Sequence, residues 1–198
     1  MHNPAGKIIR AEMPSVATSG DMVYMTSNFA ELQPDAEPLG AVSGFVSEFI
    51  EAVTPQHMFD DFSRQETVLL SGYLECFGVP RDSVVVREGD EGDFLAILVT
   101  GKAVILKDHG GVKKVVHELV PGEMIGEMSL IDGQPRFASC VTTEPSDFGV
   151  LTSDGFKTLL ADHPRLGNKL MLMLLRLNVT RLRNATIHML PGMLDSSV

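Results

Sequence analysis

Hydrophobic positions along the chain change period three times, and each change predicts an element. Residues 1–41 show no sustained period and are broken by Pro4, Pro14, Pro34 and Pro38. That predicts a flexible segment with at most short elements around "DMVYMTSNFAELQP". From residue 43 the pattern tightens: Phe45, Val46, Phe49, Ile50 and Val53 recur at helical spacing behind Ser43, an N-cap type, and Pro55 closes the run. "SRQETVLLSGYLECF" predicts a second helix, opened by Ser63 and Glu66 as a capping box, with Val68, Leu69, Tyr73 and Leu74 as its apolar face.

At residue 84 the character switches. "VVVREGDEGDFLAILVTGKAVILKDHGGVKKVVHELVPGEMIGE" is β-branched and aliphatic, and glycines punctuate it. Short strands joined by glycine turns predict a small antiparallel barrel or roll, which "FASCVTT" and "FGVLTS" continue. Ser153 is placed to cap a short helix ending near Leu160, and Pro164 to open a long one reaching about Leu190. The fold class is therefore α+β: an antiparallel β-roll of the jelly-roll (double-stranded β-helix) kind, with N-terminal helices and a long C-terminal helix. The corresponding division is a loose segment 1–41, a domain 42–190 and a tail 191–198. Within the domain, helices occupy 42–80, the roll 81–152, and a hinge with the long helix 153–190.

Charge narrows the function. The chain has 198 residues, a formal charge of −10 and no tryptophan, which disfavours nucleic-acid binding through a broad basic face. Residues 1–62 carry nine acids against Lys7 and Arg10, whereas residues 163–190 carry Arg165, Lys169, Arg176, Arg181 and Arg183 and no acid. The two ends can attract one another, the basic end can meet an acidic partner, or both can simply be solvated. Cys76 and Cys140 have no paired or metal-ligand spacing, as expected of reduced thiols in a cytoplasmic protein. The N-terminus lacks a signal-peptide core, and the apolar run "LMLMLL" is far too short to span a bilayer.

The candidate chemistry lies in "GEMSLIDGQPRFASC". Gly126 lets a ligand or backbone approach, and Glu127 to Ile131 can form one helical turn whose free N–H groups suit a phosphate. Gly133 and Pro135 turn the chain, leaving Arg136 at the start of a strand, where its planar fork can bind an anionic oxygen. Glu127 would repel a bare phosphate but can accept from a sugar hydroxyl. An anion beside a ribose edge suggests a nucleotide. The same residues can also be read as an ordinary surface β-connection.

"GEMSLIDGQPRFAS" resembles the phosphate-binding cassette of cyclic nucleotide-binding domains, the family that includes the catabolite activator protein and kinase regulatory subunits. "VVREGDEGDFLAILVTGKAVIL" is similar to the family's glycine-punctuated early strands. The cassette spans residues 126–139, and the resemblance as a whole covers about residues 57–185. It implies that Glu127 binds the ribose 2′-OH and Arg136 the cyclic phosphate. Gly126 and the backbone amides near Met128, Ser129, Phe137 and Ala138 would complete the cradle. Phe137 stands where the family usually has alanine, serine or threonine. Without a threonine hydroxyl there, cyclic AMP is the expected ligand and cyclic GMP the second candidate. Val116, His117 and Leu119 fall on a strand that lines the base pocket in the family.

In the long helix, Leu166, Leu170, Met173 and Leu177 step at coiled-coil spacing, and Leu172, Leu175, Val179 and Leu182 form a neighbouring row. Two apolar rows exceed what one packing face needs, which predicts a parallel homodimer. "RLNVT" resembles a segment of the catabolite activator protein's central helix. The resemblance implies that Thr180 reads the base and that Arg176 assists near the cassette. Arg181 stands where that relative has serine. No nucleophile–base or metal-ligand motif is present in the sequence, so an enzyme is not expected and no metal or cofactor is called for. "PGMLDSSV" follows the helix with no sign of a DNA-binding domain. The expectation is a stand-alone cyclic-nucleotide sensor that signals through an effector protein in trans, without DNA binding in cis or membrane contact. Its rivals are a receptor for another second messenger, such as cyclic di-GMP, and a dimeric scaffold that binds no nucleotide.

Overall fold

"FLAILVT" is an unbroken apolar run, and in the computed structural model every residue of the strand it forms, Phe94–Thr100, is buried. The structure describes Phe29 and residues 34–194, with the backbone alone for Ser43 and residues 188–194. The elements expected around "DMVYMTSNFAELQP" fall largely outside the described residues.

Among the described residues, nine strands build two antiparallel sheets. In chain order they are β1 Glu37–Ala41, β2 Glu75–Val79, β3 Val84–Val86, β4 Phe94–Thr100, β5 Ala103–His109, β6 Val112–Leu119, β7 Met124–Ile125, β8 Ser139–Thr142 and β9 Ser146–Thr152. One sheet runs β1-β2-β9-β4-β7 and the other β3-β8-β5-β6. The pleat of β4 explains its continuous hydrophobicity. Phe94, Ala96 and Leu98 point into the roll with Phe77, Leu119 and Phe148, while Leu95, Ile97 and Val99 join the helical side with Phe49, Leu70 and Leu159. A strand covered on both faces loses polar alternation.

The helices are α1 Val46–Val53, α2 Arg64–Ser71, α3 Glu127–Asp132, α4 Ser153–Asp162 and α5 Pro164–Leu194. The capping box of α2 forms as expected: Ser63 Oγ accepts from the Glu66 N–H at 3.3 Å, and Glu66 accepts from the Ser63 N–H at 2.9 Å.

Three local expectations are corrected. Ser43 lies inside a 3-10 turn, Val42–Phe45, and does not cap α1. Thr152, not Ser153, caps α4, its hydroxyl accepting from the Gly155 N–H at 3.1 Å. The helix expected through "YLECF" ends at Ser71, because Glu75–Val79 pairs with β1 on one side and β9 on the other. Ladder hydrogen bonds and burial of Cys76 and Phe77 on opposite faces outweigh the helical spacing that precedes them. The roll therefore takes in two strands that precede residue 81, β1 and β2.

The two apolar rows of α5 separate cleanly. Leu166, Leu170, Met173 and Leu174 are buried and Leu177 packs partly beside them, while Leu172, Leu175, Val179 and Leu182 are exposed. The oppositely charged ends of the chain do meet. Lys169 donates to the Asp61 carbonyl at 3.0 Å and pairs with Glu66 at 2.7 Å, and Arg176 pairs with Asp61.

The hydrogen bond from Lys169, helped by the Ser63 cap, holds the Glu66 carboxyl down at about 2, against an ordinary 4.5. A depressed carboxyl contributes stability above its unfolded pKa and loses it as pH falls through the folded one. Urea denaturation is expected to show Glu66→Gln less stable than wild type at neutral pH, the gap shrinking below 4.5 and closing near about 2. A gap independent of pH would show that the carboxylate charge is not what ties α2 to α5.

Candidate functional site

Arg136 is a charged residue in a dry place. Its residue surface is only 4% exposed, and its guanidinium lies over the Phe94 ring at 4.2 Å from the centroid. Nη1 donates to the Phe94 carbonyl at 2.8 Å and to the Gly126 carbonyl at 2.9 Å. Nη2 is buried and finds no partner among the described residues. Burial pulls the Arg136 pKa below its ordinary value, while Asp93 and Glu127 pull it back up. An arginine so placed stays charged at neutral pH, so an unpartnered buried donor is held ready for an acceptor.

Local backbone fixes this side chain. Arg136 N–H donates to the Asp90 carbonyl at 2.8 Å, and its own carbonyl accepts from Gly89 N–H at 2.9 Å. The residue thus sits in the loop ahead of β8, not at the start of the strand, clipped to the turn between β3 and β4. A Cβ at Gly92 or at Gly126 would overlap the guanidinium, and Gly126 also adopts φ 79°. Phe29 buries its ring edge-on against Phe94 at 5.1 Å and so backs the platform on which the arginine lies.

Glu127 opens α3 and is 1% exposed. It pairs with Arg181 of α5, which also donates through Nη2 to the Met124 carbonyl at 3.0 Å. Ser129 is buried beside it in α3, Met128 is exposed, and Gly133 closes the turn at φ 66°. The first N–H groups of such a helix have no intrahelical acceptor. Ala138 is partly buried and Phe137 is 62% exposed, so the ring stands outside the cassette and does not plug it.

The other expected residues are placed less uniformly. Arg176 goes to Asp61 rather than the cassette, because α5 turns that face toward the acidic segment ahead of α2. Thr180 is exposed on α5. Val116 is exposed on β6, and His117 shares its Nε2 with Glu123 at 2.8 Å. Leu119 does not line an open face but is packed into the roll interior at 1% exposure. Arg181, Asp93, Phe94 and Gly92 were not anticipated. A signal for Arg181 existed: a four-residue step from Leu177 continues the buried row of α5 onto it.

The comparisons with known proteins follow the geometry. The cyclic nucleotide-binding domain family model matches residues 76–163. A solved cyclic nucleotide-binding domain from Methylobacillus flagellatus is 40% identical, with a TM-score of 0.72 over 80% of this chain and 90% of that one. The chain belongs to the cyclic nucleotide-binding domain family. The cyclic AMP receptor protein of Thermus thermophilus is 29% identical over 67% of this chain and 60% of its own length. The cAMP-dependent protein kinase regulatory subunit of Aspergillus niger is 35% identical over 48% of this chain and 23% of its own. The chain therefore spans less than two thirds of either of these curated relatives, one named as a receptor and the other as a regulatory subunit. Among the described residues, no helix of this cyclic nucleotide-binding domain is long and apolar enough to cross a membrane.

Gly92→Ala is expected to lower stability by about 1–3 kcal/mol, the usual range for overpacking, because Arg136 must move. Gly44→Ala, where a Cβ meets nothing within 4 Å, serves as the control. Equal urea midpoints for the two variants would show that the guanidinium has room to shift.

Proposed function

We propose that this domain is a cyclic AMP sensor that passes its signal to a partner protein. The observation that carries the reading is the cassette itself. A buried arginine with an unpartnered Nη2 and a fully buried carboxylate are set by one short segment, Gly126–Arg136. The cyclic phosphate would take the free donor of Arg136 and the opening amides of α3, with those of Phe137 and Ala138. The ribose 2′-OH would donate to Glu127, and Thr180 of α5 would offer its hydroxyl to the base.

Glu127 is already paired with Arg181, so the ligand must share or displace a contact from α5. Occupancy of the cassette would thereby bias the position of α5, to the extent that the ligand binds its alternative positions with different affinity. Release of Arg181 from Glu127 would leave Lys169 and Arg176 as the ionic ties on the α2 side. The helix is thus held at one end and responsive at the other. Its exposed row, Leu172, Leu175, Val179 and Leu182, supplies the surface for a parallel homodimer.

Titration calorimetry with cyclic AMP is expected to show micromolar binding, about −8 kcal/mol, that is lost in Arg136→Ala and in Arg136→Lys. The lysine variant retains the charge but not the fork, and circular dichroism checks that both variants remain folded. Unchanged affinity in both would remove the cyclic phosphate from this site. The dimer is tested separately. Light scattering on Leu175→Glu is expected to report half the wild-type mass, and an unchanged mass would retire the exposed row as the interface.

A further inference from the structure

The walls around the Arg136 guanidinium are mostly backbone. Nη1 meets the Phe94 and Gly126 carbonyls at 2.8 and 2.9 Å, and the bare backbone of Gly92 closes against the fork. The remaining wall is the Phe94 ring, whose centroid lies 4.2 Å from the guanidinium carbon. Backbone in a ladder or a clipped turn is stiff. The terminal torsion of a phenylalanine is broad, so the ring takes its tilt from what packs on it. Phe29 packs on it. That residue is 1% exposed, and its ring stands at 86° to the Phe94 ring with centroids 5.1 Å apart. It also meets the Phe77 ring at 4.7 Å and 49°. Phe77 is fixed in the middle of β2, opposite Phe148 of β9. Phe29 thus lies between a side chain anchored by a ladder and the ring that carries the cation.

We propose that Phe29 is a positioning residue for the cyclic phosphate: by fixing the tilt of the Phe94 ring, it aims Nη2 of Arg136. This rests on the cyclic-nucleotide reading of the cassette and adds to it a residue from outside the cassette that acts through another side chain. A guanidinium over an aromatic face follows that face when it tilts. A binding group works only if locked neighbours hold it within about 10–20° of its productive orientation. Nη2 is the donor at stake, because it is buried and has no partner among the described residues. Filling the interior of the roll requires apolar volume alone, which leucine or methionine would supply. Holding a second ring at a right angle requires a ring.

Phe29→Leu and Phe29→Met keep the apolar bulk and lose the ring. Phe49→Leu makes the same kind of change at a fully buried site in the other core cluster, on the helical side. All three variants of the full chain are expected to melt below wild type. Calorimetry with cyclic AMP is expected to show binding weakened about two- to ten-fold in both Phe29 variants, the range that one aromatic pair is worth. Phe49→Leu is expected to keep the wild-type affinity. In heteronuclear NMR spectra of the ligand-free protein, the Arg136 Nε–H signal, assigned by its loss in Arg136→Lys, is expected to move in the Phe29 variants and to stay in Phe49→Leu. Wild-type affinity in the Phe29 variants, equal losses at Phe29 and Phe49, or an unmoved Nε–H signal overturns the positioning role while the phosphate site stands. Absence of cyclic AMP binding by wild type overturns the cyclic-nucleotide reading itself, and the positioning role with it.

Discussion

A buried guanidinium with one terminal nitrogen unpartnered among the described residues organises this molecule. Moving a charge out of water is costly unless its donors are met, and in Arg136 two carbonyls and an aromatic face meet part of that requirement. The demands propagate outward. Gly92 and Gly126 must be bare, because any Cβ there would occupy the space of the side chain. Phe94 must begin β4 with its carbonyl turned to Nη1 and its ring beneath the fork. The turn between β3 and β4 must grip the Arg136 backbone on both sides. What looks in sequence like a glycine-rich connection is the mould of one side chain.

The second organising feature is the division of labour along α5. Its first half is hydrophobic on the core side and basic toward the acidic segment before α2, so packing and ion pairing act together there. Farther along, Arg181 ties the helix to the cassette, reaching the buried Glu127 and the Met124 carbonyl. A partly exposed arginine paired with a fully buried carboxylate is an asymmetric contact. Withdrawing the arginine leaves the carboxylate unsatisfied, so something with a hydroxyl or a cation has to replace it. The proposed coupling between the cassette and the helix rests on that one asymmetric contact.

Much of this was legible before any coordinates. β-Branched and aliphatic runs between glycines marked the strands from β3 onward, Ser63 and Glu66 marked the start of α2, and Pro164 the start of α5. Glu127 and Arg136 stood out because a carboxylate and an arginine flank a glycine turn. What escaped has a common cause. "ECFGV" and "EPLGA" are strands because partners far along the chain complete their ladders, and neither segment carries that information locally. Arg176 and Arg181 are the same residue type five positions apart, and only the rotation of α5 against the roll decides which one meets the cassette.

The chain by itself determined the order of its elements, the family cassette and the identity of the two charged groups within it, because these depend on spacing along a few residues. Tertiary structure alone decided that Arg136 lies over Phe94 with Phe29 behind it, that Glu127 faces Arg181, and that Phe137 stands exposed beside a held lysine. Each of those contacts joins segments that sequence keeps apart. Their energies depend on burial and orientation, which arise only when the two sheets and α5 have closed around them.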